Sequence, residues 1–149
     1  MTSISSSIGA LSSPQAVSDV AECFASIAES LHLALRSMSD QVNVPAEKLY
    51  GLITEEYGLR TRLGILRGDA KNRVVLGVKC SQEVLITLLQ QTSAFIRQSK
   101  SVDEIAFVVN SVSVLCVSVF PGKQQSIDFL IDRLRNEINF PSVLSNFSW

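Results

Sequence analysis

Six of the chain's thirteen basic side chains, Arg60, Arg62, Arg67, Lys71, Arg73 and Lys79, fall within "LRTRLGILRGDAKNRVVLGVK", residues 59–79, where Asp69 is the one acid. Guanidinium and ammonium groups at that density bind anions, either carboxylates on a protein or phosphates on a nucleic acid. The formal net charge of the whole chain is −1, so the cluster reflects segregation and not excess. Residues 1–56 hold seven acids and two bases, residues 57–100 two acids and eight bases, and residues 101–149 five acids and three bases. A chain divided this way can meet an anionic partner with its middle third, or meet its own acidic segments within one chain or across a dimer. A third reading is a solvated basic edge that discourages strand-to-strand aggregation.

Other side chains offer little chemistry. Nucleophilic catalysis needs a nucleophile, a base and an orienting group that converge, and the chain has one histidine, His32. Cys23 precedes it by nine residues, which on one helix points the two to opposite faces and makes His32 a half-exposed surface residue. The carboxylate pairs Glu55/Glu56, Asp103/Glu104 and Asp128/Asp132 fall near helix ends or on polar faces, where they are solvated. No P-loop, dinucleotide fingerprint, zinc-protease or nucleophile-elbow spacing occurs. Cys23, Cys80 and Cys116 are odd in number and far apart, which fits neither a disulfide framework nor a zinc site. The expectation is a non-enzyme without cofactor or metal, carrying reduced thiols and suited to the cytoplasm. Arg67-Gly68-Asp69 matches the integrin-binding tripeptide, but Gly68-Asp69 is turn chemistry.

The elements that must position the basic cluster come from periodicity. After Pro14, Val17, Val20, Phe24, Ile27, Leu31, Ala34 and Met38 step by three and four, predicting a long helix with one buried seam. Pro45 opens a second helix with Leu49, Leu52, Ile53 and Tyr57 inward, ending at Gly58. Leu59, Thr61, Leu63 and Ile65 alternate with Arg60, Arg62, Gly64 and Leu66, and past "RGDAKN" Val74, Leu76, Val78 and Cys80 alternate with Arg73, Val75, Gly77 and Lys79. This predicts an antiparallel β-hairpin over 59–80 with Leu63 and Leu76 inward and Arg60, Arg62, Arg73 and Lys79 outward. Ser81 caps a third helix running to Lys100. Ser101 and Glu104 have capping-box spacing, predicting a helix over 102–119 with a strand as the competing reading. A last helix covers about 123–139. The fold class is mainly α with one inserted hairpin: about five helices in a bundle-like domain over 14–141, between a flexible Ser-rich tail (1–13) and a C-terminal tail (142–149) on which Phe147 and Trp149 could dock.

The N-terminal "MTSISSSIGALSS" lacks the basic residues of a Sec signal or a mitochondrial presequence. Its composition resembles the Ser-rich leaders of proteins exported by bacterial injection systems, which implies a non-Sec route for an effector. "IAFVVNSVSVLCVSVF" is a core element and not a membrane span, being about 24 Å long as a helix against a hydrocarbon core of roughly 30 Å.

Residues 35–54, "LRSMSDQVNVPAEKLYGLIT", resemble the helix-turn-helix motif of transcription regulators. Met38, Val42, Val44, Leu49 and Leu52 take its buried positions, Ser39 its small residue and Asn43 its turn residue. With a basic hairpin following, the resemblance implies a winged helix whose second helix enters the major groove and whose wing contacts phosphate. Glu47, Glu55 and Glu56 on that helix would repel the DNA backbone. The sequence therefore predicts a protein-interaction module that associates with itself or with an acidic partner through the basic face, with nucleic-acid binding as the alternative.

Overall fold

Ser13 accepts a hydrogen bond from the Ala16 amide at 3.1 Å, and Pro14 occupies the first helical position, so helix α1 (Pro14–Ser39) starts where its chemistry says it should. The structure, a computed structural model, describes residues 8–41 and 43–139. Four more helices follow: α2 (Ala46–Gly68), α3 (Gln82–Gln98), α4 (Val102–Val119) and α5 (Gln124–Asn139). α1 packs along both α2 and α3; α4 lies on α2, and α5 on α3 and α4. The core is one apolar cluster running from Ala10 to Leu134, with Phe24, Ile27, Leu31, Leu59, Leu89, Ile105 and Ile127 excluded from solvent. α4 is long and apolar enough to cross a membrane by length and composition, yet half of it is buried inside the bundle.

The predicted β-hairpin is overturned. Among the described residues there is no β-strand, and residues 59–68 continue α2 through Gly58 and Gly64. The reason lies in a second period hidden in the same residues: Leu52, Leu59, Leu63, Leu66 and then Ala70 are buried, at steps of seven, four, three and four. Glycine in a helix costs about 1 kcal/mol relative to alanine, so continuing through Gly58 and Gly64 costs about 2. The helix buries Leu59 and Leu63, as the hairpin would, and adds Leu66 and Ala70 to the same seam, and a buried leucine returns about 1.5–3 kcal/mol. Burial wins, and Tyr57, expected in the core, is 73% exposed. The winged-helix arrangement falls with the hairpin, since α1 is unbroken through Met38 and no wing follows α2.

The other half of the expected hairpin is an extended strap. After a single 3-10 turn (Ala70–Asn72), residues 73–80 run beside the N-terminal segment instead of beside 59–66. The Val75 amide donates to Leu11 O, Ala10 N to Cys80 O and Gln82 N to Ile8 O. Gly77, at φ +85°, turns the strap so that Val75 and Val78 are buried while Leu76, expected inward, is 73% exposed. Residues 8–13, assigned from composition to a flexible tail, are thus held in place: Ala10 and Leu11 are buried, and Gln82 accepts from the Leu11 amide and donates to Ala16 O. The expected docking of Phe147 and Trp149 lies outside the described residues.

The expected caps of the later helices are present. Ser81 and Ser101 cap α3 and α4 by accepting from the amides three residues on. The Ser101 cap is extended by Ser99, whose hydroxyl accepts from the Ser101 amide and donates to the Glu104 carboxylate. The helical alternative for 102–119 is the correct one. Gly122, at φ +66°, makes the left-handed turn between α4 and α5.

Candidate functional site

The six basic residues do not share a face. Arg60 and Arg67 project from the flank of α2 that meets α1, and both are engaged there. Arg67 donates to both oxygens of Glu22, at 2.6 and 2.9 Å, and Arg60 reaches Glu29 at 3.2 Å and Glu56 at 2.8 Å. Glu22 and Glu29 are one heptad apart on α1, as Arg60 and Arg67 are on α2. The pairing 22 with 67 and 29 with 60 is therefore the register of two antiparallel helices, read along the edge of their seam. His32 extends the same edge, its Nδ1 lying 3.2 Å from Glu56. These contacts hold the Glu22 carboxyl below its ordinary value through the hydrogen bonds and charge of Arg67, and push the Arg60 and Arg67 guanidinium groups up.

Arg73 is spent differently. Its guanidinium lies 4.8 Å above the Phe120 ring, and its Nε sits 3.3 Å from Asp69, too poorly aligned for a hydrogen bond. Arg62 turns to the opposite flank of α2, toward Cys116 of α4. Lys71 and Lys79 are exposed, beyond the end of α2 and on the strap respectively, and neither side chain forms an ion pair among the described residues. Half of the basic cluster, Arg60, Arg67 and Arg73, is thus answered by carboxylates within the chain.

An organised exposed surface is the outer face of α2. Tyr50, Thr54, Tyr57, Thr61, Gly64 and Gly68 recur at four, three, four, three and four residues, so at 100° per residue they fall within about 40° of one line. That line is directly opposite the buried Leu52, Leu59 and Leu66. No charge interrupts it over about 27 Å of helix. Tyr50 is 68% exposed and Tyr57 73%, with Ile53 and Ile65 on either side also exposed. A Cβ added at Gly51, Gly64 or Gly68 would meet nothing within 4 Å. These residues were missed in the sequence because the helix was expected to stop at Gly58; the signal, an uncharged repeat at helical spacing, runs through the segment read as a strand.

Two other surfaces were also unforeseen. A groove of about 590 Å³ between α1 and α3 is lined by Cys23, Ser26, Leu89, Ser93 and Arg97. There Arg97 Nε donates to the buried Ser30 hydroxyl, which lies 2.6 Å from the Ser93 hydroxyl. A shallower one between α4 and α5 exposes Val114 and Phe129. His32 is hydrogen-bonded to a carboxylate and to no thiol or hydroxyl among the described residues. The thiols of Cys23, Cys80 and Cys116 are all raised by burial, that of Cys116 to about 12. No group of three or more histidine, cysteine or acidic side chains placed to hold a metal occurs among the described residues. The chain matches no family model, no curated protein and no solved structure.

Proposed function

We propose that this chain is a non-catalytic helical interaction module that associates with itself through the outer face of α2. The observation that carries the reading is the uncharged stripe from Tyr50 to Gly68, set directly opposite the core of its own helix with two tyrosines more than two-thirds exposed. A solvated helix places charge on its outer face; an uncharged one rich in tyrosine has the composition of an interface centre. The chain is 18% charged, so little elsewhere opposes association. Nucleic-acid binding lacks such support, because Arg60 and Arg67 already serve carboxylates and the remaining cations are dispersed.

Sedimentation velocity over a concentration series tests this. Wild type is expected to shift from monomer to dimer with rising concentration, and Tyr50→Asp/Tyr57→Asp to remain monomeric with unchanged far-ultraviolet circular dichroism. Wild-type protein that stays monomeric throughout, or a double variant that dimerises like wild type, overturns the proposal.

A further inference from the structure

We infer that two copies pair antiparallel along α2 in one register, in which residues whose numbers sum to 118 lie level with each other. The inference rests on the self-association proposed above and goes beyond it by naming which side chain meets which. In this register Tyr50 lies over Gly68 of the second copy, Thr54 over Gly64 and Tyr57 over Thr61, each contact occurring twice by symmetry. Large side chains are thereby set against small ones along the whole stripe, as packing of two helix faces requires. At each end Glu47 of one copy is level with Lys71 of the other, so the exposed acid near the start of α2 meets an exposed base just past its end.

Other registers fit worse. A parallel pair sets Glu47 beside Glu47 and tyrosine beside tyrosine, and leaves Gly64 facing Gly64 across empty space. Sliding an antiparallel pair by one heptad to a sum of 111 brings Glu47 over Gly64 and leaves Gly68 uncovered. Sliding it the other way, to 125, carries Tyr50 past the end of the partner helix. Only the sum of 118 uses both tyrosines, both glycines and both terminal charges.

The glycines supply an independent argument. Nothing inside the monomer calls for glycine at 64 or 68, since a Cβ at either meets open space and neither has a positive φ. Each nevertheless weakens the helix by up to about 1 kcal/mol relative to alanine. A side chain from a second copy, arriving over those positions, is what needs the room.

Disulfide trapping decides the register. In a Cys23→Ser/Cys80→Ser background, Thr54→Cys and Gly64→Cys proteins of different tag length are mixed and oxidised with copper phenanthroline under concentrations that give dimer. The inference expects the mixed Thr54→Cys to Gly64→Cys product to exceed either self-linked product at least tenfold. In this register two copies of position 54, like two copies of position 64, are about 15 Å apart along the helix axis. Gly64→Leu is expected to raise the dimer dissociation constant at least tenfold. Predominant self-linked products, or no mixed product although sedimentation shows dimer, overturn the register while leaving self-association standing. A background protein that is monomeric by sedimentation, like its wild-type parent, overturns both.

Discussion

Arg67 clasps Glu22 with two hydrogen bonds across 45 residues of chain, and one heptad away Arg60 repeats the contact with Glu29. The repeat shows that the basic flank of α2 is built to fit the acidic flank of α1, and it fixes how far the two helices are slid past each other. Position 53, where the next rung would face Arg36, is isoleucine, so the ladder ends there. For Arg60 and Arg67, what reads in the sequence as a surface awaiting an anion is a seam.

The Glu22 contact makes stability depend on pH in one direction. Its folded-state value is lowered from an unfolded value of 4.5, so the contribution is present above 4.5 and is lost as pH falls through the lower folded value. Both partners are solvent-exposed, so the effect is small and falls with salt. Thermal melts should show wild type above Glu22→Gln at pH 7 and low salt, with the gap closing in acid. A gap that persists in acid would assign the difference to something other than the ion pair.

Gly51→Ala should stabilise the protein by about 0.5–1 kcal/mol, because it lies in a helix interior with open space around the new methyl group. Gly77→Ala should do the reverse, since φ +85° strains any L side chain. Urea titrations of the two variants give both signs. A destabilising Gly51→Ala would contradict an exposed helical position there.

Gln82 is the clip that joins the N-terminal segment to the bundle. It accepts from the Leu11 amide at 3.0 Å and donates to Ala16 O at 2.9 Å, and Leu11 is held buried at φ +62°. Gln82→Ala leaves the part-buried Leu11 amide unpartnered, at about 1–3 kcal/mol if it stays dry, while Ala16 O keeps its place in the α1 ladder. The expected result is a loss of that order in urea unfolding, with faster proteolysis within residues 8–13. An unchanged midpoint would mean that water replaces the clip without cost.

Thiol labelling should separate the three cysteines. Burial pushes the Cys116 thiol up to about 12 and excludes reagent, so it should stay unlabelled by a disulfide-exchange reagent at pH 8 until the protein unfolds. Cys23 and Cys80, half-buried and also raised, should react slowly in the native state. All three should label at once in guanidinium. Rapid native labelling at Cys116 would place α4 outside the core.

Local patterns determined much of this architecture without help. The seam from Val17 to Met38, the proline at the start of α1 and the Ser13, Ser81 and Ser101 caps act within a few residues, so the helix starts and the buried face of α1 are legible in the chain. Residues 59–80 are different because two periods coexist there. Leu59, Leu63 and Leu66 fit a helix, Leu59, Leu63 and Ile65 fit a strand, and the glycines weigh against the helix by about as much as one buried leucine weighs for it. The decision belongs to the partner surface: α1 and α4 offer apolar area that only the helical set can reach, while the N-terminal segment offers backbone groups that take up the extended strap. Charge was legible as composition but not as function, since the distance between Glu22 and Arg67 exists only once α1 and α2 lie antiparallel. The same folding step turned Tyr50, Tyr57 and Gly64 outward together, which no window of sequence ending at Gly58 could show.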